Sequence, residues 1–390
     1  MSESEHRTLQ TPPGGANRFD RMEWAGAFGD LGTLIPFVVA YIGVLGVDPH
    51  GMLFAFGIAG IVCGLVYRTP FPVQPMKAIG AVATTQAAQT IVITANAVYA
   101  ASVVTGLLWL VLAFSGAVQR ICRLVGAPVV TGIVLGLGLG FMLQGTRMMA
   151  QDWWLGGIGL VGTLFMLSFR ALPAMFVLLA FGAAWGVARE PQILDSLIAV
   201  SAQWRPPRFA LDTLTWNDWM VGALFLALPQ LPLTLGNAVI AITEENNRLF
   251  PDRPVSERRV AASTGWMNLL GAAVGGVPMC HGAGGMAGHV RFGARTGGAS
   301  IILGVLLLVL ALFFADSVAT LLRIFPPALL GVILFLTGAQ LALGACDFGI
   351  DKGERFATVV TAGCALWNVG LAFVVGLAVL GMSRRGWLRL

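Results

Sequence analysis

The sequence predicts an all-α polytopic membrane protein of about fourteen spans. They are arranged as a seven-plus-seven inverted repeat, with two short strand/half-helix segments near the middle of the membrane. Three observations carry this prediction. First, of 390 residues 57% are hydrophobic and 11% are charged, with mean hydropathy +0.80. No soluble domain has this composition, and its apolar runs reach membrane-spanning length. Second, the basic residues fall preferentially on one side of the implied membrane. Third, the two halves repeat short motifs at a shift near 200 residues.

The spans follow from hydrophobic runs punctuated by Pro, Gly and charge clusters. They are placed at 24–45, 51–67, 71–90, 95–118, 126–146, 154–169, 172–188, 218–243, 260–276, 278–296, 298–315, 326–345, 355–367 and 368–384. Residues 1–23 are polar, without an apolar segment followed by a cleavage site, and read as a cytoplasmic tail and not a signal peptide. Residues 24–188 form the first repeat and 189–217 an extracytoplasmic connection. Residues 218–384 form the second repeat and 385–390 a short cytoplasmic tail. With the N-terminus inside, eighteen basic residues lie inside and five outside (Arg147, Arg189, Arg205, Arg208 and Arg323), while Lys77 is intramembrane. That bias is the positive-inside pattern, so both termini are expected in the cytoplasm. The net charge of +5 comes from arginines in loops, which suits orientation in a bilayer and not nucleic-acid binding. The five cysteines are scattered without metal-ligand spacing and read mostly as small apolar residues, with no disulfides.

"GLLWLVLA" from Gly106 matches "GVLLLVLA" from Gly304, and "PVVTG" from Pro128 matches "PALLG" from Pro327. "PVQPMKAIGA" from Pro72 pairs more loosely with "PMCHGAGGMA" from Pro278. A shift near 200 gives each repeat seven spans. Seven is odd, so the second copy must be inverted in the membrane. Inverted repeats with Gly/Pro-interrupted segments at corresponding places are a transporter signature, and the interruptions point to the binding site.

"RTPFPVQPMKAIG" (68–80) and "GGVPMCHGAGGMAG" (275–288) each begin extended and then enter a short helix. If they are symmetry mates, their helix N-termini approach each other near the midplane. Each presents free N–H groups and about half a positive charge. Gly282, Ala283 and Gly284 open the second half-helix, and Gln74, Met76 and Lys77 flank the first. Lys77 would occupy a first helical turn, where the dipole repels a cation, so an anion is expected beside it: either Asp30 or a bound ligand. The summed charge suits a divalent oxyanion.

Asp30 and Thr33 lie in "FGDLGTLIPF", whose repeat mate is "LPQLPLTLGNAV". There Gln230, Thr234 and Asn237 share a helix face at i, i+4 and i+7. They read either as a cavity-facing stripe or as interhelical hydrogen bonds. His281 reads as a hydrogen-bond donor to the ligand. With Cys280 and His289 it offers too few ligands, at the wrong spacing, for a metal site. A Cys280–His281 hydrolytic pair, adjacent in sequence, has poor geometry.

"GDLGTLIPF" (29–37), "PFPVQPMKAIGAVA" (70–83), "LPQLPLTLGNAVIA" (228–241) and "MNLLGAAVGGVPMCHGAGGMAGHVRFGARTGG" (267–298) resemble the molybdate-transporter family of the sulfate permease superfamily. The resemblance implies a core of spans 1–4 and 8–11, a gate of spans 5–7 and 12–14, and an oxyanion bound between the half-helices of spans 3 and 10. It also implies a multi-pass protein of the cytoplasmic membrane, able to dimerise through its gates. The resemblance to the molybdate branch also implies that the cytoplasmic regulatory domain usual in sulfate permeases is not expected after the last span. No nucleotide-binding motif or cofactor signature is legible, so a gradient is expected to drive transport. A proton is a candidate coupled ion, with Asp30 or His281 as its carrier. Sulfate and tungstate are the rival substrates, and an anion channel is the rival class.

Overall fold

The computed structural model describes residues 16–76, 79, 93–118, 120, 126–167, 174–192, 195, 201–318, 324–345, 351–367 and 369–387. Asp20 starts helix α1 (Arg21–Ala27) by accepting from the amides of Met22 and Glu23. A 3-10 turn at Phe28–Asp30 then leads into α2 (Leu31–Leu45), which ends at Gly46 in the left-handed region. Asp48 caps α3 (Pro49–Tyr67), with Pro49 at the first helical position. Thr69, Phe71 and Gln74 each precede a proline, which disfavours helix and holds this stretch extended. It runs into strand β1 (Gln74–Pro75).

The next helices are α4 (Ala95–Phe114), α5 (Ala127–Met149), α6 (Trp153–Met166) and α7 (Ala174–Arg189). The chain after α7 is clipped to the second half: Gln203 and Arg205 amides donate to Phe313 and Leu312 carbonyls at 2.8 and 3.0 Å.

The second half of the chain opens with α8 (Trp216–Val221), α9 (Leu228–Leu233) and α10 (Ile242–Leu249). Between them run π-helical turns at Gly222–Ala227 and Thr234–Ala241. Pro229 and Pro232 fall in this rod, and a proline that removes a helical hydrogen bond is accommodated by such local widening. Then come α11 (Glu257–Ala273), strand β2 (Met279–Cys280), the nine-residue α12 (Ala283–Arg291), α13 (Gly298–Phe314), α14 (Pro327–Gly344), α15 (Lys352–Trp367) and α16 (Val369–Arg384).

Four described stretches are long and apolar enough to cross a membrane: Pro49–Tyr67, Ala95–Phe114, Ala127–Met149 and Gly298–Ser317. The others are shorter or interrupted. Span 24–45 is broken at Phe28–Asp30, and span 278–296 is a strand and a half-length helix.

Packing follows a two-fold logic. α3 packs on α13, and their counterparts in the other half, α11 and α4, pack on each other. α5 packs on its own counterpart α14. These helices approach closely through small residues. A Cβ on Gly57 would stand 2.8 Å from Gly304 O, one on Gly106 3.0 Å from Gly265 O, and one on Gly145 2.6 Å from Gly331 O. Close backbone approach is how helices gain contact in a membrane, where burial of apolar surface gives no advantage over lipid. A second group, α5 with α14, α15 and α16, packs beside the first and meets it through α12 and the Thr234–Ala241 turn.

Glu23, which the sequence assigns to the polar tail, is buried. Glu23 accepts from the amides of Arg295, Thr296 and Ala299 at 2.9, 2.9 and 3.1 Å. It thereby caps α13, which starts at a Gly-Gly pair without a side-chain cap of its own.

Candidate functional site

The two extended segments cross as an antiparallel pair, Gln74 opposite Cys280 and Pro75 opposite Met279. The Met76 amide donates to Pro278 O at 2.8 Å. Two residues per strand cannot satisfy this backbone, so side chains from neighbouring helices do the rest. Asn268 on α11 accepts from Met279 N at 2.8 Å and donates to Met279 O at 2.6 Å. Ser300 on α13 donates to Phe71 O at 2.8 Å, and Ser102 on α4 donates to Gly276 O at 3.2 Å. Irregular backbone at membrane depth survives only where protein or water supplies such partners.

His281 differs from its expected role. Its Nδ1–H donates to Pro72 O at 2.8 Å, so Nε2 accepts, and Ser263 Oγ lies 2.7 Å from it. The Tyr67 hydroxyl stands 2.6 Å from Ser263 Oγ. The ring also lies edge-on to Phe71, with centroids 4.9 Å apart. Both nitrogens are therefore used inside the protein, and the residue ties β1's approach segment to α11. His289 is also turned to protein, with Nδ1 2.8 Å from Gly26 O. Cys280 and His281 do not form a metal cluster with other ligands: among the described residues no group of three or more His, Cys, Asp or Glu could hold an ion.

Beyond the crossing lies the start of α12. Gly282 takes the N-cap position with extended backbone, and no side chain caps the helix. Ala283, Gly284 and Gly285 are fully enclosed, so this positive helix end faces the protein interior. His289 and Arg291 occupy its last turn, as the dipole favours. Gln74 lies against this end: a Cβ on Gly285 would stand 2.7 Å from Gln74 Nε2, and one on Gly282 would collide with Gln74 Oε1. Gln74 also donates from Nε2 to Asp30, which is buried in the 3-10 turn. Asn237 is buried, 3.8 Å by its Nδ2 from where a Gly282 Cβ would be, and its Oδ1 has no partner among the described residues. Phe141 of α5 closes the remaining side, its ring directly over Gly284.

The structure thus brings together Asp30, Gln74, Asn237, Gly282, Ala283 and Gly284. Met76 is buried beside β1. Gln230 and Thr234 do not share a ligand-facing stripe with Asn237. Gln230 donates to Thr234 Oγ1 at 2.9 Å and accepts from Ile79 N at 3.2 Å, and the π turn from Thr234 breaks the α-helical spacing that the expectation assumed. Gln230 ties its own rod to the Ile79 amide. Lys77 and its pairing with Asp30, like the Thr33 side chain, lie outside the described residues. Asn268, Ser263 and Phe141 carry roles that the sequence reading does not assign; Asn268, a single polar residue in the apolar second half of α11, offers the one local signal.

The crossing of β1 and β2 at the start of α12, among long apolar helices, defines a class: polytopic proteins with the fold of the transmembrane domain of a cyanobacterial bicarbonate transporter, BicA. That domain superposes with TM-score 0.57 at 16% identity, covering 92% of this chain and 97% of that one. The profile of a family described as "Molybdate transporter of MFS superfamily" matches twice, at residues 22–141 and 222–341, a displacement of 200 residues (22 to 222, 141 to 341). The chain is 32% identical to Molybdate transporter 2 of Arabidopsis thaliana over 92% of its own length and 86% of that protein's. It is also 32% identical to Molybdate transporter 1 of that plant, covering 90% and 85%. The chain belongs to the molybdate transporter family.

Proposed function

We propose that this protein is a secondary transporter carrying molybdate across the cytoplasmic membrane, with both termini in the cytoplasm. The observation that carries the reading is the buried, uncapped start of α12, faced by Gln74 and Asn237. A helix N-terminus shielded from water is a ready site for an oxyanion. The names of its relatives supply the substrate. In this reading Ala283 and Gly284 amides and the Asn237 amide donate to the anion, and Lys77 adds positive charge from the first repeat. Phe141 covers the site, so access requires the α5–α14 group to shift against the α3–α13 group. A proton gradient is the proposed energy source, and Asp30 the proposed carrier. Gln74 already holds one of its oxygens.

Calorimetric titration of purified protein with molybdate, tungstate and sulfate tests the substrate. Saturable binding of molybdate, weaker for sulfate, is expected. Tighter sulfate binding would reassign the substrate, and no binding of any of the three would remove the site. Uptake into proteoliposomes that saturates and follows an imposed pH gradient separates a carrier from an anion channel.

A further inference from the structure

On the membrane-facing side of the first packing group, α3 and α11 leave a groove of about 350 Å³ between them. Its floor is small, made of Ala59, Cys63 and Gly271, and its walls are Val62, Val66 and Trp266. The three wall residues are each about half exposed. The groove follows α3 from Phe54 to Tyr67, about 20 Å at the α-helical rise. One leaflet's hydrocarbon is about 15 Å deep, half of the whole core.

One end of this apolar groove is strongly cationic. Arg259 lies over the Tyr67 ring, 5.1 Å from its centroid, and donates to Val66 O at 3.0 Å. Arg68 follows Tyr67 directly and is exposed, Arg253 donates to Arg68 O, and the exposed Arg258 precedes Arg259 in the sequence. Asp252 and Glu257 are the carboxylates next to Arg253 and Arg258 in the sequence. None of the four arginines joins an ion pair among the described residues.

An apolar slot longer than one leaflet, ending in unneutralised guanidinium groups, has the polarity of an anionic amphiphile. We propose that it binds one anionic phospholipid, an acyl chain in the groove and the phosphate among Arg68, Arg258 and Arg259. Guanidinium groups suit phosphate because their paired donors match its oxygens. The site bears on the crossing as well. Tyr67 and Ser263 form the groove's inner wall at this end, and their hydroxyls lead to His281 and so to Pro72 O. A seated lipid packs against the hydrogen-bond chain that fixes β1.

The test uses purified full-length protein, with phosphatidylglycerol and phosphatidylcholine of identical chains as probes. Thermal unfolding and native mass spectrometry are the readouts. Phosphatidylglycerol should raise the unfolding temperature more and leave the more persistent adduct, while inorganic phosphate should do neither. Val62→Trp and Ile58→Trp, which fill the groove from lipid-exposed positions, should each abolish the response. Val111→Trp, on the membrane face of α4, should keep it. The Arg258→Gln/Arg259→Gln protein should respond to the two lipids alike. Equal responses to both lipids in the unaltered protein would overturn the headgroup site. An undiminished phosphatidylglycerol response in both groove-filling variants would overturn the groove.

Discussion

Asn268→Ala should destabilise the protein through a single strand residue. Asn268 satisfies both backbone groups of Met279, at 2.8 and 2.6 Å, and donates also to Thr264 O at 2.7 Å. Met279 is buried and β2 is only two residues long, so no neighbouring ladder bond replaces these. Each orphaned buried group costs about 1–3 kcal/mol. The expected loss is therefore about 2–6 kcal/mol for two groups. Asn268→Asp keeps the acceptor for Met279 N but sets a buried carboxylate oxygen against Met279 O and Thr264 O, so it should be at least as destabilising as alanine near neutral pH. Denaturant unfolding in detergent micelles reads the stability, and molybdate titration reads the site. Because β2 sets the start of α12, affinity should fall with stability. An Asn268→Ala protein within about 1 kcal/mol of the parent would refute the argument, showing that the strand is held by other means.

Four further outcomes are expected. Gly284→Val should abolish molybdate binding, since a Cβ there collides with the Phe141 ring; adding Phe141→Ala should restore folding if ring clearance is the cause, and calorimetry with thermal unfolding distinguishes the two losses. Asn237→Ala should weaken molybdate binding by about 1–3 kcal/mol, whereas Gln230→Ala should chiefly lower thermal stability; the reverse pattern would return Gln230 to the site. Lys77→Gln should lose oxyanion affinity while keeping its unfolding temperature, and loss of stability rescued by Asp30→Asn would instead make Asp30 its partner. Burial holds the Glu23 carboxyl above its ordinary value of 4.5, against the hydrogen bonds from Arg295 and Thr296 that favour its charge. Folding therefore retains a proton that the unfolded chain releases. Stability should fall as pH rises from the ordinary glutamate value to the raised folded one, then level off; a Glu23→Gln protein with the same pH slope would exclude Glu23 as the source.

Most of the helical plan was legible because membrane spans are written in long apolar runs. The breaks were legible as well, since Pro70 and Pro72 keep the chain extended before β1, and Gly282 to Gly285 announce a close-packed helix start; Pro75, which suits the first residue of a helix, lies in β1 instead. What stayed hidden were partnerships. His281 looks like a ligand donor in sequence, but both its nitrogens are committed to Pro72 and Ser263, residues 209 and 18 positions away. Gln230, Thr234 and Asn237 match an α-helical face, but a π turn begins at Thr234 and changes the spacing. Glu23 reads as part of a polar tail until α13, with a Gly-Gly start and no cap, is found beside it. Phe141 carries no sequence signal, as one aromatic residue among many in an apolar helix.

The pairing of β1 with β2 has a bearing on how the protein is made. Gln74 meets Cys280 across 206 positions of chain. At synthesis rates of about 5–20 residues per second, Gln74 emerges roughly 10–40 s before its partner exists. Through that interval the first segment waits in or near the bilayer without its strand mate, where each bare backbone donor is penalised. Pro70, Pro72 and Pro75 have no N–H to leave bare. The residues that keep this stretch from becoming a helix also remove three of its nine donors between Arg68 and Met76, and so ease the wait for the second half of the chain.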